Sequence, residues 1–174
     1  REIFPGYALS VDGVYARGYN QYAWLDLNYP DPVTGLRPNR TMGRITEYAD
    51  YGNSWHRALL VGLEGRRGST VNWNASYTFS KSERDVEGFQ FTAQDMNNLD
   101  ADKGLATNDR RHQFIANVTY QMPWGFQLGA VAQARSGTPW NITTGTDNNR
   151  DTFTNPLADR PDLAVPNGDP YDRN

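Results

Sequence analysis

The chain has 174 residues, 37% of them hydrophobic, 13% aromatic and 21% charged, with 16 Gly, 10 Pro, no Cys and a net charge of −3. So high an aromatic content is foreign to disordered chains, no apolar run approaches the ~18 residues of a membrane-crossing helix, and the acidic balance gives no electrostatic case for nucleic acid. The lack of Cys excludes a disulfide scaffold, thiolate catalysis and thiolate zinc sites.

The chain opens on Arg1 without Met or a basic-then-apolar leader, and stops in the polar run Tyr171, Asp172, Arg173, Asn174, so a piece of a larger protein is expected. From there the strongest signal is period two. It begins weakly with Tyr7, Leu9, Val11 and Tyr15. It returns at Trp55, Leu59, Val61 and Leu63, with Arg57 interrupting. Between Thr70 and Ser80 it is complete: Val71, Trp73, Ala75, Tyr77 and Phe79 alternate with Thr, Asn and Ser. His112, Phe114, Ala116, Val118, Tyr120 and Met122 form the next apolar set, and Phe126, Leu128, Ala130, Ala132 and Ala134 the last. Side chains alternate across a strand, so each segment has one apolar and one polar face. Strands are expected at about 7–17, 54–66, 70–82, 110–122 and 126–136.

Strands usually run about 5–6 residues, whereas a strand tilted through a bilayer needs about 9–11. Pro5-Gly6, Arg67-Gly68 and Pro123-Trp124-Gly125 are tight turn signals. Between them lie long polar stretches at about 29–53, 83–109 and 145–174. Structureless loops longer than about 12–15 residues are uncommon in compact domains, but short periplasmic turns alternating with long extracellular loops are the rule in outer-membrane barrels. The expected fold is therefore all-β: an antiparallel segment of a transmembrane outer-membrane β-barrel. Its lipid-facing residues would be Val71, Trp73, Tyr77, Phe79, Phe114, Val118, Tyr120, Phe126 and Leu128. Its lumen-facing residues would be Asn72, Asn74, Ser76, Thr78, Gln113, Asn117, Gln127 and Gln133.

Several stretches carry a more particular likeness. Tyr77-Thr78-Phe79-Ser80-Lys81-Ser82 opens a long acidic loop, which closes with Asn108-Asp109-Arg110-Arg111-His112-Gln113-Phe114. Pro123-Trp124-Gly125-Phe126, Ser136-Gly137-Thr138-Pro139-Trp140 and Asp159-Arg160-Pro161-Asp162-Leu163 follow in order. Together they resemble the C-terminal barrel region of TonB-dependent outer-membrane receptors, in particular the Oar-like branch that carries a carboxypeptidase-regulatory-like domain. The resemblance implies a plug domain, an N-terminal domain and a TonB-contacting segment, all absent from this stretch. It also implies about 22 strands and an aromatic-ended last strand, neither of which is seen here. The partners implied are membrane lipid, the rest of the barrel and plug, the TonB complex and an unidentified transported solute.

For metals, Asp95, Asp100 and Asp102, with Asn97, Asn98 and Gly104, are calcium candidates only in part. Calcium favours oxygen ligands at alternate positions, but a helix-loop-helix calcium site starting at Asp100 would need Glu where Arg111 stands. A solvated acidic loop explains them as well, and Asp147, Asp151, Asp159 and Asp162 are weaker still. His56 and His112 could share a metal only if their strands were neighbours. Asp109, Arg110 and Arg111 read as an ion-pair network on the lumen wall. No glycine-rich phosphate loop, nucleophile elbow or zinc-protease pair appears, so neither enzyme activity nor a cofactor is expected. Two function classes remain: a solute-importing receptor of the outer membrane, and a soluble β-rich carbohydrate-binding or adhesive module whose Trp and Tyr would stack on sugars. Self-association of exposed strand edges is a third.

Overall fold

The computed structural model describes residues 2–31, 33–88, 93, 95–140 and 142–143. Seven strands form one antiparallel sheet: β1 (Glu2–Phe4), β2 (Tyr7–Asp26), β3 (Thr46–Arg67), β4 (Val71–Arg84), β5 (Gly104–Leu105), β6 (His112–Gln121) and β7 (Gln127–Arg135). The hydrogen-bonded order is β1-β2-β3-β4-β6-β7, with β5 on β4. The described residues contain no α-helix, only 3-10 turns at Leu99–Asp102 and Pro123–Gly125. The expected loop 145–174 lies outside the described residues.

The tight turns follow from their residues. Gly6 and Gly68 adopt φ of 82° and 58°, values open to Gly at no steric cost. In the third turn Trp124 itself takes φ 69° before Gly125 at 81°, and Met122 N–H closes the turn on the Phe126 carbonyl at 2.8 Å.

Two strands depart from expectation at the opposite end. Strand β2 runs on through residues 18–26, past its expected end, residues 46–53 are strand rather than loop, and β4 continues to Arg84. The long acidic loop likewise contains a 3-10 turn and the short β5. Periodicity misses these extensions because aromatics occupy both parities (Tyr19 and Trp24, Tyr48 and Tyr51). Asn20 also interrupts the strand with φ 56°. What holds them is the backbone ladder, which a hydropathy pattern does not record.

The chain divides into two compact units. In the first (residues 1–19, 53–84 and 104–139) the ladder is continuous: Ser54↔Arg84 to Arg67↔Val71, Val71↔Tyr120 to Phe79↔His112, and Gln113↔Arg135 to Gln121↔Gln127. Gly65 faces Trp73 in this register, and a Cβ at residue 65 would collide with the indole. The ring thus lies on bare backbone, with Tyr7 6.4 Å beyond it between centroids.

The second unit (20–52, 85–103 and 140–174) holds Ala23, Val86 and Ala93 buried. Val86 packs where a side chain at Gly52 would stand. Its larger stabilising element is polar. The Asn28 amide Nδ2 donates to the carbonyls of Asn39, Met42 and Gly43 at 3.0, 3.1 and 2.7 Å, and its Oδ1 accepts the Asn39 N–H at 2.8 Å. Asp26 accepts the N–H groups of Asn28 and Ile45 and pairs with Arg37 at 3.0 Å, both side chains being largely buried. One amide and one ion pair thereby satisfy backbone groups at Asn28, Asn39, Met42, Gly43 and Ile45 around the loop between β2 and β3. Tyr51, beyond the apolar stretch of its strand, donates to the Trp24 carbonyl at 3.2 Å. Burial, with Asp102 and Asp85 adding to it, pushes its phenol up to about 12.

Three outcomes are expected. Gly65→Ala displaces the Trp73 indole and costs about 1–3 kcal/mol, as overpacking does, read as a lowered Tm by tryptophan fluorescence in detergent. Asn28→Ala removes three side-chain hydrogen bonds to loop carbonyls, each worth about 0.5–1.5 kcal/mol, so trypsin should cut at Arg40 or Arg44 many times faster than in the parent. For Tyr51 the folded pKa lies above the unfolded value of about 10. Its contribution is therefore complete below pH ~10 and disappears as pH rises through about 12. Ultraviolet titration of Tyr51→Phe against the parent should show the missing phenol ionising near 12 rather than 10.

Candidate functional site

The register sorts the first unit into two faces, because partners across an antiparallel ladder point the same way. On one face lie the rows Val71–Tyr120–Leu128, Trp73–Val118–Ala130, Leu63–Ala75–Ala116–Ala132, Val61–Tyr77–Phe114–Ala134 and Leu59–Phe79–His112. Phe126 stands exposed just before β7. Among the described residues nothing covers this face: Tyr77, Phe79, Phe114, Val118 and Tyr120 expose 38–43% of their surface. The only buried hydrophobic residues among those described are Ala23, Val86, Ala93 and Ala106, none of them in these rows.

The opposite face carries Asn72 opposite Thr119, Asn74 opposite Asn117, Ser76 opposite Ile115 and Thr78 opposite Gln113, and on β7 Gln127 and Gln133. Asn117 Nδ2 donates to Asn74 Oδ1 at 2.7 Å. Toward the loop end of this face, His56 Nδ1 and Ser82 Oγ share a 2.8 Å hydrogen bond, and Arg84 donates to Asn108 Oδ1 at 2.9 Å. These four side chains, with Ala16 and Gly18 as a small-residue floor, line a hollow of about 160 Å³. Donors and acceptors converge there, the arrangement that orients a polar ligand. Sequence reasoning missed it because His56, Ser82, Arg84 and Asn108 lie on three segments and meet only through the ladder.

His56 and His112 do not come together. His112 is on the apolar face, its Nδ1 2.7 Å from the Tyr77 hydroxyl and its ring 5.2 Å from that of Phe79. Asp95 caps a local turn by accepting the Asn97 N–H at 2.8 Å, while Asp100 and Asp102 sit in the 3-10 turn, Asp102 buried. Among the described residues no three His, Asp or Glu side chains converge as metal ligands. Asp147, Asp151, Asp159 and Asp162 lie outside the described residues.

The Asp109–Arg111 cluster is not a network on the polar wall. Asp109 is buried, accepts the Ser82 N–H at 2.7 Å and stands 3.9 Å from Arg111 Nε. Arg110 donates to the Ser136 carbonyl at 3.1 Å. Arg111 sends its guanidinium to 5.9 Å from the Phe79 ring, on the apolar side. The bend at residue 111 ends the strict alternation there.

A family model described as outer membrane beta barrel domain matches residues 1–174. No curated protein and no solved structure matches the chain. The match sets aside a soluble carbohydrate-binding or adhesive module, and it accounts for the uncovered apolar face as a surface for lipid. The chain belongs to the outer membrane beta barrel domain family and resides in the bacterial outer membrane.

Proposed function

We propose that the chain is part of the wall of a TonB-dependent receptor that binds a solute outside the cell and imports it, driven through the TonB complex. In this reading the apolar rows from Val71 to Phe79 face lipid, the polar rows from Asn72 to Thr78 line the lumen around a plug, and the long loops project outward. The segment does no chemistry of its own. The observation that supports it is the pairing of two of the receptor-like motifs. Tyr77–Ser82 on β4 and Asn108–Phe114 leading into β6 lie side by side through Tyr77↔Phe114 and Phe79↔His112, with the His56–Ser82–Arg84–Asn108 hollow beside them on the polar face.

The test is energy-dependent uptake by cells carrying the full-length protein, with panels of metal chelates, saccharides and peptides as probes. Import of at least one class should vanish in a host without TonB, and persistence there would replace the receptor with a passive pore. For the imported solute, Arg84→Ala should raise the half-saturating concentration about tenfold, the effect of losing one charge-assisted hydrogen bond of roughly 1.4 kcal/mol. Barrel assembly, read as heat-modifiable gel mobility, should not change.

A further inference from the structure

The apolar face ends on a row that the import reading leaves unexplained. Leu59, Phe79 and His112 form its last apolar row, and the next pair along the ladder is Arg57↔Lys81. Two cations directly opposite each other weaken a sheet, so this pair is not there to hold the strands together. Two more cations join it. The Arg17 guanidinium lies 4.5 Å from the Tyr19 ring and 5.4 Å from Trp55, and that of Arg111 lies over Phe79. Arg57 itself stands 6.0 Å from the Tyr15 ring. Against these four, Glu83 pairs with Lys81 at 2.8 Å and Asp109 stands 3.9 Å from Arg111. Among the described residues neither Arg17 nor Arg57 makes an ion pair. Tyr15, Arg57, Leu59, Phe79, Lys81 and Arg111 line a concavity of about 570 Å³, with cations at one edge and apolar rings at the other.

Depth fits the composition. From Val71 to Phe79, at about 3.3 Å per residue and a tilt of 35–45°, the apolar rows rise roughly 19–22 Å, most of the ~25 Å height of the apolar band on a barrel of this kind. The Arg57–Lys81 row therefore falls where hydrocarbon gives way to headgroups. Guanidinium matches a phosphate bidentately, and ammonium binds it as a point charge.

We propose that this row is a lipid-binding site, holding the phosphate of an anionic lipid headgroup while the acyl chains lie on Leu59, Phe79 and the rows below. The occupant is a lipid rather than a free anion because the cations adjoin the uncovered apolar face without a break: one molecule with a phosphate head and an apolar tail satisfies both. The site needs only the membrane barrel. That its leaflet is the outer one rests on the proposal above that the long loops face outward.

The test uses the full-length protein in neutral detergent, with native mass spectrometry counting retained lipid. The probes are bis-phosphorylated lipid A, the same lipid enzymatically dephosphorylated, and inorganic phosphate as competitor. The parent should retain the phosphorylated lipid at least tenfold better than the dephosphorylated one. Arg57→Gln combined with Lys81→Gln should remove that preference while heat-modifiable mobility stays intact, and Arg17→Gln alone should weaken it. Equal retention of the two lipids, or an unchanged preference in the double variant, overturns the site. Displacement of the lipid by inorganic phosphate at equal concentration overturns the lipid assignment in favour of a free-anion site. Orientation is read separately by impermeant maleimide on intact cells, the chain having no Cys of its own. Labelling of Val33→Cys but not Thr70→Cys places the row in the outer leaflet. The reverse labelling overturns the outward-loop reading while the detergent result still decides the phosphate site.

Discussion

Everything in this structure depends on one imbalance: a long antiparallel ladder with an apolar face that none of the described residues covers. In water such a face would be an aggregation surface. In a bilayer it is the solvated side, and the backbone becomes the critical element, since an unpaired N–H or C=O in hydrocarbon costs several kcal/mol. The ladder answers that cost strand by strand from β2 through β7. At the outer sides of β1 and β7, where no described strand pairs, the same requirement calls for pairing partners, as closure does in every barrel.

The division between polar and apolar faces was legible because membrane strands obey a simple rule. Lipid accepts only apolar side chains, so Val71 to Phe79 alternate without exception and the turns at Gly68 and Gly125 stand out between the clean segments. What lies beyond the apolar rows obeys no such rule. The outer parts of β2 and β3 carry aromatics on both faces, and their strand character comes from backbone pairing and from the Asn28 and Asp26 bonds. A single Asn that gathers three carbonyls looks, in a sequence, like any loop Asn. The hollow at His56 was hidden for a related reason: its bonded pairs, His56–Ser82 and Arg84–Asn108, are 26 and 24 residues apart and become neighbours only through register.

The two faces also handle polar groups by different physics. On the polar face neutral amides and hydroxyls bond to one another or to water, so single exchanges there are cheap. At the border of the apolar face two of the cations, Arg17 and Arg57, lie by the rings of Tyr19 and Tyr15 rather than beside described carboxylates. A ring gives a guanidinium a favourable seat without neutralising it, so the border keeps positive charge that a salt bridge would have cancelled.

The bare backbone at Gly65 also bears on how the wall is assembled. Lipid cannot tell one strand alignment from another as long as apolar residues point outward, so a hairpin shifted by two positions would look nearly as good to the membrane. The Trp73 indole fits over Gly65 alone: the same-face neighbours on β3 are Leu63 and Arg67, and either would hold the ring off the sheet. The Gly and the Trp thus act as a keyed joint, which sets this alignment of the β3–β4 hairpin apart from its shifted neighbours.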